Sequence, residues 1–434
     1  MDMSVGLYLL GAFLFLICFS IPIAVAIALS SLAIMYTILP GDIAFMTAGQ
    51  KLITGIDSFS LLAIPFFILA GNIMNRGGIA TRLVDFAKIV VGRLPGALSH
   101  VNVLANMLFG SVSGSAVAAA AAVGKTLEPE LEKEGYDKSF STAVNAASCP
   151  AGLLIPPSNS LIVFSVVSGG TSIAALFIAG YVPGILMGLS CMLVAYLIAR
   201  KKGYSSKGEA LTSKQKFAIT LRALPSLGLV IVVIGGIIGG IFTATEGACI
   251  AVLYSFALAL CYRNLNISTL RTICVETAEI TGIMLFLIGA STIMSWAMAF
   301  TGLPNMISDW MLSVSDNPII IFIMMNLILL VVGMFMDLTP AVLIFTPIFM
   351  PIATHLGMHP IHFAMMMIFN LCIGIATPPV GTALFVSCSV SGAKIENVIK
   401  SILPFCAVLI ATLMMITFIP ELSLALPRLF GLIQ

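Results

Sequence analysis

Long uninterrupted apolar segments constrain this chain more than any other feature. They run near residues 5–37, 58–75, 96–124, 139–168, 172–199, 223–242, 244–262, 280–301, 319–353, 363–392 and 402–425. None alternates with a period of two, so segments of this length facing lipid are helices and not barrel strands. Of the 434 residues, 60% are hydrophobic and 9% charged, whereas a soluble domain carries about 25% charged residues. Too few charges are present to cover a water-exposed surface of this size. The expected fold is therefore an all-α integral membrane protein, a single polytopic domain of roughly ten spans over residues 1–434. The net charge of +2 points to no partner, and nothing in the sequence suggests nucleic acid. The nine cysteines stand singly, without metal-ligand spacing, and read as free thiols. The first apolar segment lacks a basic flank and a small-residue cleavage site, so it reads as a span and not a signal peptide. It is too long for one span, and Pro22 leaves open one span or two.

Charge sets the orientation. The stretch 200–222 holds Arg200, Lys201, Lys202, Lys207, Lys214, Lys216 and Arg222 against one acid, Glu209. The stretch 76–93 holds Arg76, Arg82, Lys88 and Arg93. Both are cytoplasmic by the positive-inside rule, whereas 301–318 and 354–362 carry no Lys or Arg and belong outside. Arg76, Arg82, Asp85 and Lys88 lie on an amphipathic stretch, read as an interfacial helix. With both basic stretches inside, segment 96–124 contributes no net crossing. Its centre carries Gly110, Ser111, Ser113, Gly114 and Ser115, residues that favour a break. It is expected to be a re-entrant hairpin from the cytoplasm. Segment 319–353 breaks likewise, at Gly333 to Pro340, and is expected to enter from outside.

The sequence also repeats itself at an offset near 222 residues. Gly152-Leu-Leu-Ile-Pro156-Pro157 corresponds to Gly374-Ile-Ala-Thr-Pro378-Pro379, Gly135-Tyr136 to Gly357-Met358, and Gly169-Gly170 to Ser391-Gly392. Pro183 and Pro404, and Gly110 and Gly333, correspond within one residue. Each half thus has a hairpin followed by a span broken at Gly-x-x-x-Pro-Pro. The expected division is repeat one over about 5–200, a cytoplasmic linker 200–222, a linking span 223–242 that supplies the odd crossing, and repeat two over about 244–425. Inverted repeats with broken helices at mid-membrane are the architecture of secondary transporters.

The breaks carry the chemistry. A Pro-Pro pair removes two backbone donors and frees carbonyls, which in hydrocarbon need a partner such as Na⁺. The half-helix N-termini made by the same breaks suit an anionic substrate. Asp337 is the sharpest candidate, because an intramembrane carboxylate is functional by default. The bland reading, an N-cap for the returning half-helix, is compatible with that. Ser111, Ser113 and Ser115 offer hydroxyls, with close helix packing along Ala116 to Ala122 as the alternative. Pro156, Pro157, Ser158 and Asn159 form a kink or a binding element; Asn159 offers both donor and acceptor. Glu246 reads as the partner of Thr243 in a capping box, and Lys125 as a snorkelling anchor.

Ala63-Ile-Pro-Phe-Phe-Ile-Leu-Ala-Gly71, Gly110-Ser-Val-Ser-Gly-Ser115, Ile155-Pro-Pro-Ser158, Ala179-Gly-Tyr-Val-Pro-Gly184, Met336-Asp-Leu-Thr-Pro340 and Thr377-Pro-Pro-Val-Gly381 resemble the large membrane subunit of tripartite ATP-independent periplasmic (TRAP) transporters, along nearly the whole chain. The stretch from Pro156 to Phe177 is most similar to members that carry sialic acid. The resemblance implies location in the bacterial inner membrane and uptake of a small organic anion such as a sugar acid or dicarboxylate. It also implies a periplasmic binding protein, a smaller membrane subunit of about four helices, and an elevator-type motion. No cofactor is implied beyond Na⁺ as coupling ion. One sodium site would use Ser111, Ser113, Ser115, Gly152, Ile155 and Pro156. The other would use Gly333, Asp337, Gly374, Thr377 and Thr382. Gly114, Pro157, Ser158, Asn159, Thr339, Pro379 and Gly381 would face the anion. The first hairpin is atypical in its alanine run and in Lys125.

The main alternative is a stand-alone sodium symporter of the same superfamily. An intramembrane aspartyl protease needs two facing aspartates, and only Asp337 lies at depth. A channel conflicts with two occluding hairpins. The absence of a Gly-x-x-x-x-Gly-Lys-Ser/Thr loop excludes direct use of ATP, and an enzyme is not expected. Single cysteines at Lys207 and His359, in a background lacking the native nine, are expected to label from opposite faces of the membrane; labelling from one face would overturn the inversion.

Overall fold

A computed structural model describes residues 3–92, 94–204, 212–262 and 265–433. Arg93, Lys207 and Glu209 lie outside the described residues. The described residues are helical throughout, with no strand. By length and composition eight helices among the described residues can cross a membrane, or nine if one bent pair counts as a span.

The first apolar segment is two helices, α1 (Met3–Cys18) and α2 (Ile23–Ile38), because Pro22 stands at the N-cap of the second. Helix α3 (Gly41–Ile56) was not foreseen. Asp42, Gln50 and Lys51 dilute its apolar signal. Helix α4 (Ala63–Arg76) leads into α5 (Ile79–Val91), the expected amphipathic helix, which buries Ile79, Leu83, Val84 and Ala87.

The first hairpin is α6 (Ala97–Ser113) and α7 (Ala116–Lys133), turned by Gly114 at φ +63°. The break is narrower than the sequence suggests: Gly110, Ser111 and Ser113 remain helical. The broken span is α8 (Lys138–Ser148), α9 (Ala151–Leu154) and α10 (Asn159–Val167), bent by 51°. Helix α11 (Ile173–Lys202) closes the first half.

Helix α12 (Ser213–Ile238) begins ten residues before the expected span, with Thr212 and Gln215 forming a capping box. Helix α13 (Ala244–Cys261) starts at the Thr243–Glu246 capping box, as expected. Then come α14 (Ile267–Thr301) and the short amphipathic α15 (Leu303–Val314). The second hairpin, α16 (Pro318–Phe335) and α17 (Leu338–His355), turns at Met336-Asp337. The second broken span is α18 (Pro360–Ala376) and α19 (Thr382–Ser391), followed by α20 (Ile395–Phe418) and α21 (Glu421–Leu429).

Tyr204 shows that both ends of the first hairpin lie at one end of the molecule. Its carbonyl accepts from Gly96 N (3.3 Å), just before α6, and its hydroxyl accepts from Asp137 N (2.9 Å), just after α7. Lys202 Nζ donates to Asp137 at 2.6 Å, a bond that holds this carboxyl below its ordinary range despite partial burial. Lys88 pairs with Glu130 at 2.7 Å, and Arg76 with Glu276. These pairs gather the described parts of 76–93 and 200–222 with the hairpin's base. They contribute little stability individually, since exposed pairs are worth about 0–1 kcal/mol; their value here is as markers of one face. Helix α14 carries the chain from that face. From Glu276 to Thr301 an α-helix rises about 37 Å at 1.5 Å per residue, enough to cross about 30 Å of hydrocarbon. The second hairpin therefore starts at the opposite face.

The halves are related by a pseudo-two-fold and not a simple translation. Helix α7 packs on α19 while α17 packs on α10, an exchange that a two-fold generates. Residues 222 apart touch: Ser190 Oγ and Thr412 Oγ1 at 2.7 Å, and Cys372 Sγ with the Pro150 carbonyl at 3.6 Å. Counterparts can meet in this way on a symmetry axis. Gly135 and Gly357, at φ +77° and +86°, end the two returning arms alike.

Each hairpin docks through glycine. A Cβ on Gly110 would stand 2.8 Å from Gly152 Cα, and one on Gly374 would stand 2.5 Å from Gly333 Cα. No flexible side chain can yield at either contact, so Gly374→Ala is expected to lower the apparent melting temperature in detergent clearly, overpacking of this kind costing about 1–3 kcal/mol or more. Gly11→Ala, which meets nothing within 4 Å, is the control. Equal melting of both variants would contradict the backbone contact.

Candidate functional site

The first break is built from α6, α7, α9 and α10. Gly152 lies against Gly110 and the Ser111 amide, so the expected residues Ser111 and Gly152 come together through backbone. The three serines are engaged locally. Ser111 Oγ donates to the Leu108 carbonyl (2.9 Å), Ser113 Oγ to the Ser115 carbonyl (3.3 Å), and Ser115 Oγ accepts from Ala118 N (3.2 Å) as the N-cap of α7. Their oxygens keep acceptor capacity, since a hydroxyl has two lone pairs. Ser158 Oγ donates to the Leu153 carbonyl at 2.5 Å, so this residue repairs the helix break. Beyond it, the carbonyls of Ile155, Pro156 and Pro157 accept no hydrogen bond among the described residues. The Pro156–Pro157 bond is cis.

Asn159 begins α10, and its Oδ1 is buried without a partner among the described residues. A Cβ on Gly114 would lie 3.1 Å from Asn159 Nδ2, so the hairpin tip and this amide, both expected at the anion, are neighbours.

The second break repeats the plan with α16, α17, α18 and α19. Gly333 and Gly374 meet backbone to backbone. Thr377 Oγ1 donates to the Ile373 carbonyl at 2.6 Å, while Thr382 Oγ1 is buried without a partner among the described residues. The carbonyls of Pro378, Pro379 and Val380 accept no hydrogen bond among the described residues, and Pro378–Pro379 is again cis. Gly381 lies beneath the Thr377 and Ile375 carbonyls, where a Cβ would stand 2.8 and 3.0 Å away. Pro379 is exposed and Thr339 buried in the first turn of α17.

Asp337 occupies the N-cap position of α17, yet its side chain makes no capping hydrogen bond. It is exposed, while Leu338, Thr339 and Pro340 beside it are buried. The carboxylate thus stands at a helix N-terminus, beside the Leu338 amide, without a capping hydrogen bond further into the helix. The four helix starts at the breaks, α7, α10, α17 and α19, bring partial positive charge. The paired helix ends and free carbonyls bring negative charge. Such a centre can offer oxygens to a small cation and amides to an anion.

Two buried amide clusters flank the glycine contacts and were not foreseen. Asn106 Nδ2 lies 2.8 Å from Asn102 Oδ1, 3.0 Å from Asn145 Oδ1 and 2.9 Å from Ser148 Oγ. Asn145 Nδ2 reaches Ser387 Oγ (3.2 Å) in the other half, and Thr142 reaches Ser391 (2.7 Å). Asn370 Nδ2 donates to Asn326 Oδ1 at 2.8 Å, and Asn326 Nδ2 to Thr417 at 3.1 Å. The available signal was asparagine at helical spacing within apolar runs, such as Asn102 and Asn106, which in lipid calls for an interhelical partner. Outside the breaks, a Cβ on Gly71 would meet the Ser113 carbonyl at 2.8 Å, which brings α4 onto the first tip. Gly180 and Gly184 admit the Leu154–Ile155 backbone. Lys125 is exposed on α7 and forms no ion pair among the described residues.

Residues 10–422 match the family model described as tripartite ATP-independent periplasmic transporter, DctM component. The chain is 54% identical over 423 residues to the uncharacterized protein YgiK of Salmonella typhimurium, covering 98% of this chain and 97% of that protein. It is 37% identical over 407 residues to the sialic acid TRAP transporter large permease protein SiaM of Vibrio cholerae, covering 94% and 95%. In fold it is similar to the crystal structure of the Alcanivorax borkumensis YdaH transporter, of unusual topology, with a TM-score of 0.61 at 12% identity and 89% of each chain covered. The chain is a multi-pass protein of the bacterial inner membrane and belongs to the DctM family, the large permease component of TRAP transporters.

Proposed function

We propose that this chain performs the translocation step in sodium-coupled uptake of a small organic anion. A periplasmic binding protein delivers the anion, and a small membrane subunit of about four helices supports the chain. One observation carries the reading. Two helix breaks with unpaired carbonyls are each clamped by a hairpin through glycine, and at one of them a carboxylate stands free at the tip. Na⁺ is a co-substrate here. Ser111, Ser113, Ser115, Gly152, Ile155 and Pro156 form the first sodium site, and Gly333, Asp337, Gly374, Thr377 and Thr382 the second. Gly114, Pro157, Ser158, Asn159, Thr339, Pro379 and Gly381 face the anion. The unpartnered Asn159 Oδ1 and Thr382 Oγ1 support this assignment, since a buried polar atom without a partner is costly unless a ligand completes it. Hairpins and broken spans move together in an elevator motion, because the glycine contacts leave no room for them to slide separately. The likeness to a permease named for sialic acid supports a carboxylated sugar or another small organic acid as the class.

Reconstituted with its partners, the protein is expected to take up anion under an inward sodium gradient and without ATP. Undiminished uptake after replacing sodium with choline would refute the coupling.

Asp337→Asn is expected to leave the protein folded while raising half-saturating sodium about ten- to more than a hundredfold, from loss of a charge-assisted contact worth about 1.5–3 kcal/mol. Asn caps helices about as well as Asp, so an unchanged half-saturation would reduce Asp337 to a cap. Ser113→Ala removes a neutral hydroxyl, and its shift is expected to be smaller, about two- to tenfold. Uptake measured against sodium concentration at matched expression decides both.

A further inference from the structure

Away from the helix breaks, α5, α12 and α13 enclose a groove of about 460 Å³ at the basic end of the molecule. Its lining includes Arg82, Asp85, Leu221, Arg222, Pro225 and Tyr262. Two guanidiniums thus face one cavity. Arg82 lies over the Tyr262 ring, 3.2 Å from its centroid, which fixes the plane of the guanidinium and leaves its N–H edge free. Neither Arg82 nor Arg222 forms an ion pair among the described residues. The one carboxylate in the lining, Asp85, is already paired with Lys88 at 3.8 Å, and Lys88 in turn holds Glu130 at 2.7 Å. The groove therefore presents a net positive charge to whatever enters it. The hydroxyl of Tyr262 is buried and has no hydrogen-bond partner among the described residues.

The surroundings give the occupant its second half. Phe217, Leu221, Leu224 and Ile231 are 70%, 57%, 53% and 69% exposed on α12. At spacings of four, three and seven residues they share one face of the helix. An apolar track thus runs from the charged groove along a membrane span. We infer that this groove binds an anionic phospholipid of the cytoplasmic leaflet. Arg82 and Arg222 hold its phosphodiester, and its acyl chains lie along α12. Planar guanidiniums favour phosphate oxygens by bidentate hydrogen bonding, and the leaflet supplies such headgroups at this depth. Helix α5 also packs on both arms of the first hairpin, so the lipid would sit where the hairpin's neighbour meets α12 and α13.

The test uses the purified full chain in mixed micelles, with bound lipid counted by native mass spectrometry. Dioleoyl phosphatidylglycerol is expected to bind at least about tenfold more tightly than dioleoyl phosphatidylcholine, a difference of about 1.4 kcal/mol. Arg222→Gln, at an exposed position free of ion pairs, is expected to remove most of that preference, and the double variant Arg82→Gln, Arg222→Gln all of it. Lys214→Gln with Lys216→Gln removes equal charge from outside the groove and is expected to preserve it. Equal binding of the two lipids, or equal loss in the lysine variant, would overturn the inference. Displacement of phosphatidylglycerol by glycerol phosphate at similar concentration would also overturn it, since that marks a site for free phosphate.

Discussion

Both broken spans of this molecule pack against a hairpin glycine to glycine, and the architecture depends on that contact. Inside a membrane an unpaired backbone group has no water to turn to. A helix break is tolerable only where protein surrounds it. Gly110 on Gly152 and Gly333 on Gly374 bring backbone against backbone, with no side chain between. That approach packs each hairpin directly on the broken span beside it. Ser158 and Thr377 then satisfy the Leu153 and Ile373 carbonyls, one turn earlier. The polar centre is a consequence of how the breaks are packed.

The pseudo-two-fold explains why the two breaks lie together. Helix α11 meets α20 on the axis at Ser190 and Thr412, and the broken spans meet at Pro150 and Cys372. Asn145 with Ser387 then ties the broken span of one half to that of the other, and Asn145 with the Ala120 carbonyl ties it to the returning arm of its own hairpin. Sites that are far apart in sequence become one body. On the proposed function, both hairpins and both broken spans move as that one body.

Much of this was legible from residues alone. The hairpins, the two broken spans and the 222-residue correspondence are written in Gly, Pro and Ser, whose backbone preferences are strong even in an apolar background. What was not legible shares a physical reason. Helix α3 carries Asp42, Gln50 and Lys51 and so lacks the apolar contrast that marks a span. The first ten residues of α12 interrupt the apolar run with Lys214, Lys216 and Arg222, and charge says nothing about helicity there. Gly110, Ser111 and Ser113 stay helical because the turn needs only Gly114 in the left-handed region and Ser115 as a cap. The asparagine clusters depend on which helices become neighbours, which no local pattern specifies.

The symmetry makes the remaining asymmetry informative. At the first tip the turn is Gly114-Ser115, neutral, with the serine hydroxyl capping α7. At the second it is Met336-Asp337, and the carboxylate caps nothing. A serine would serve the second turn equally well as a cap, since Ser and Asp cap with similar strength. Geometry therefore does not call for the charge. A formal negative charge near mid-membrane is unfavourable by several kcal/mol unless it is compensated, and among the described residues no basic side chain pairs with Asp337. On the proposed function, that compensation is a cation that arrives and leaves. On the proposed function, the first break then binds its ion through neutral oxygens alone and the second through a charge. The second site would be the tighter of the two and the first to fill, and filling it would neutralise the tip before the anion enters beside Asn159 and Gly114.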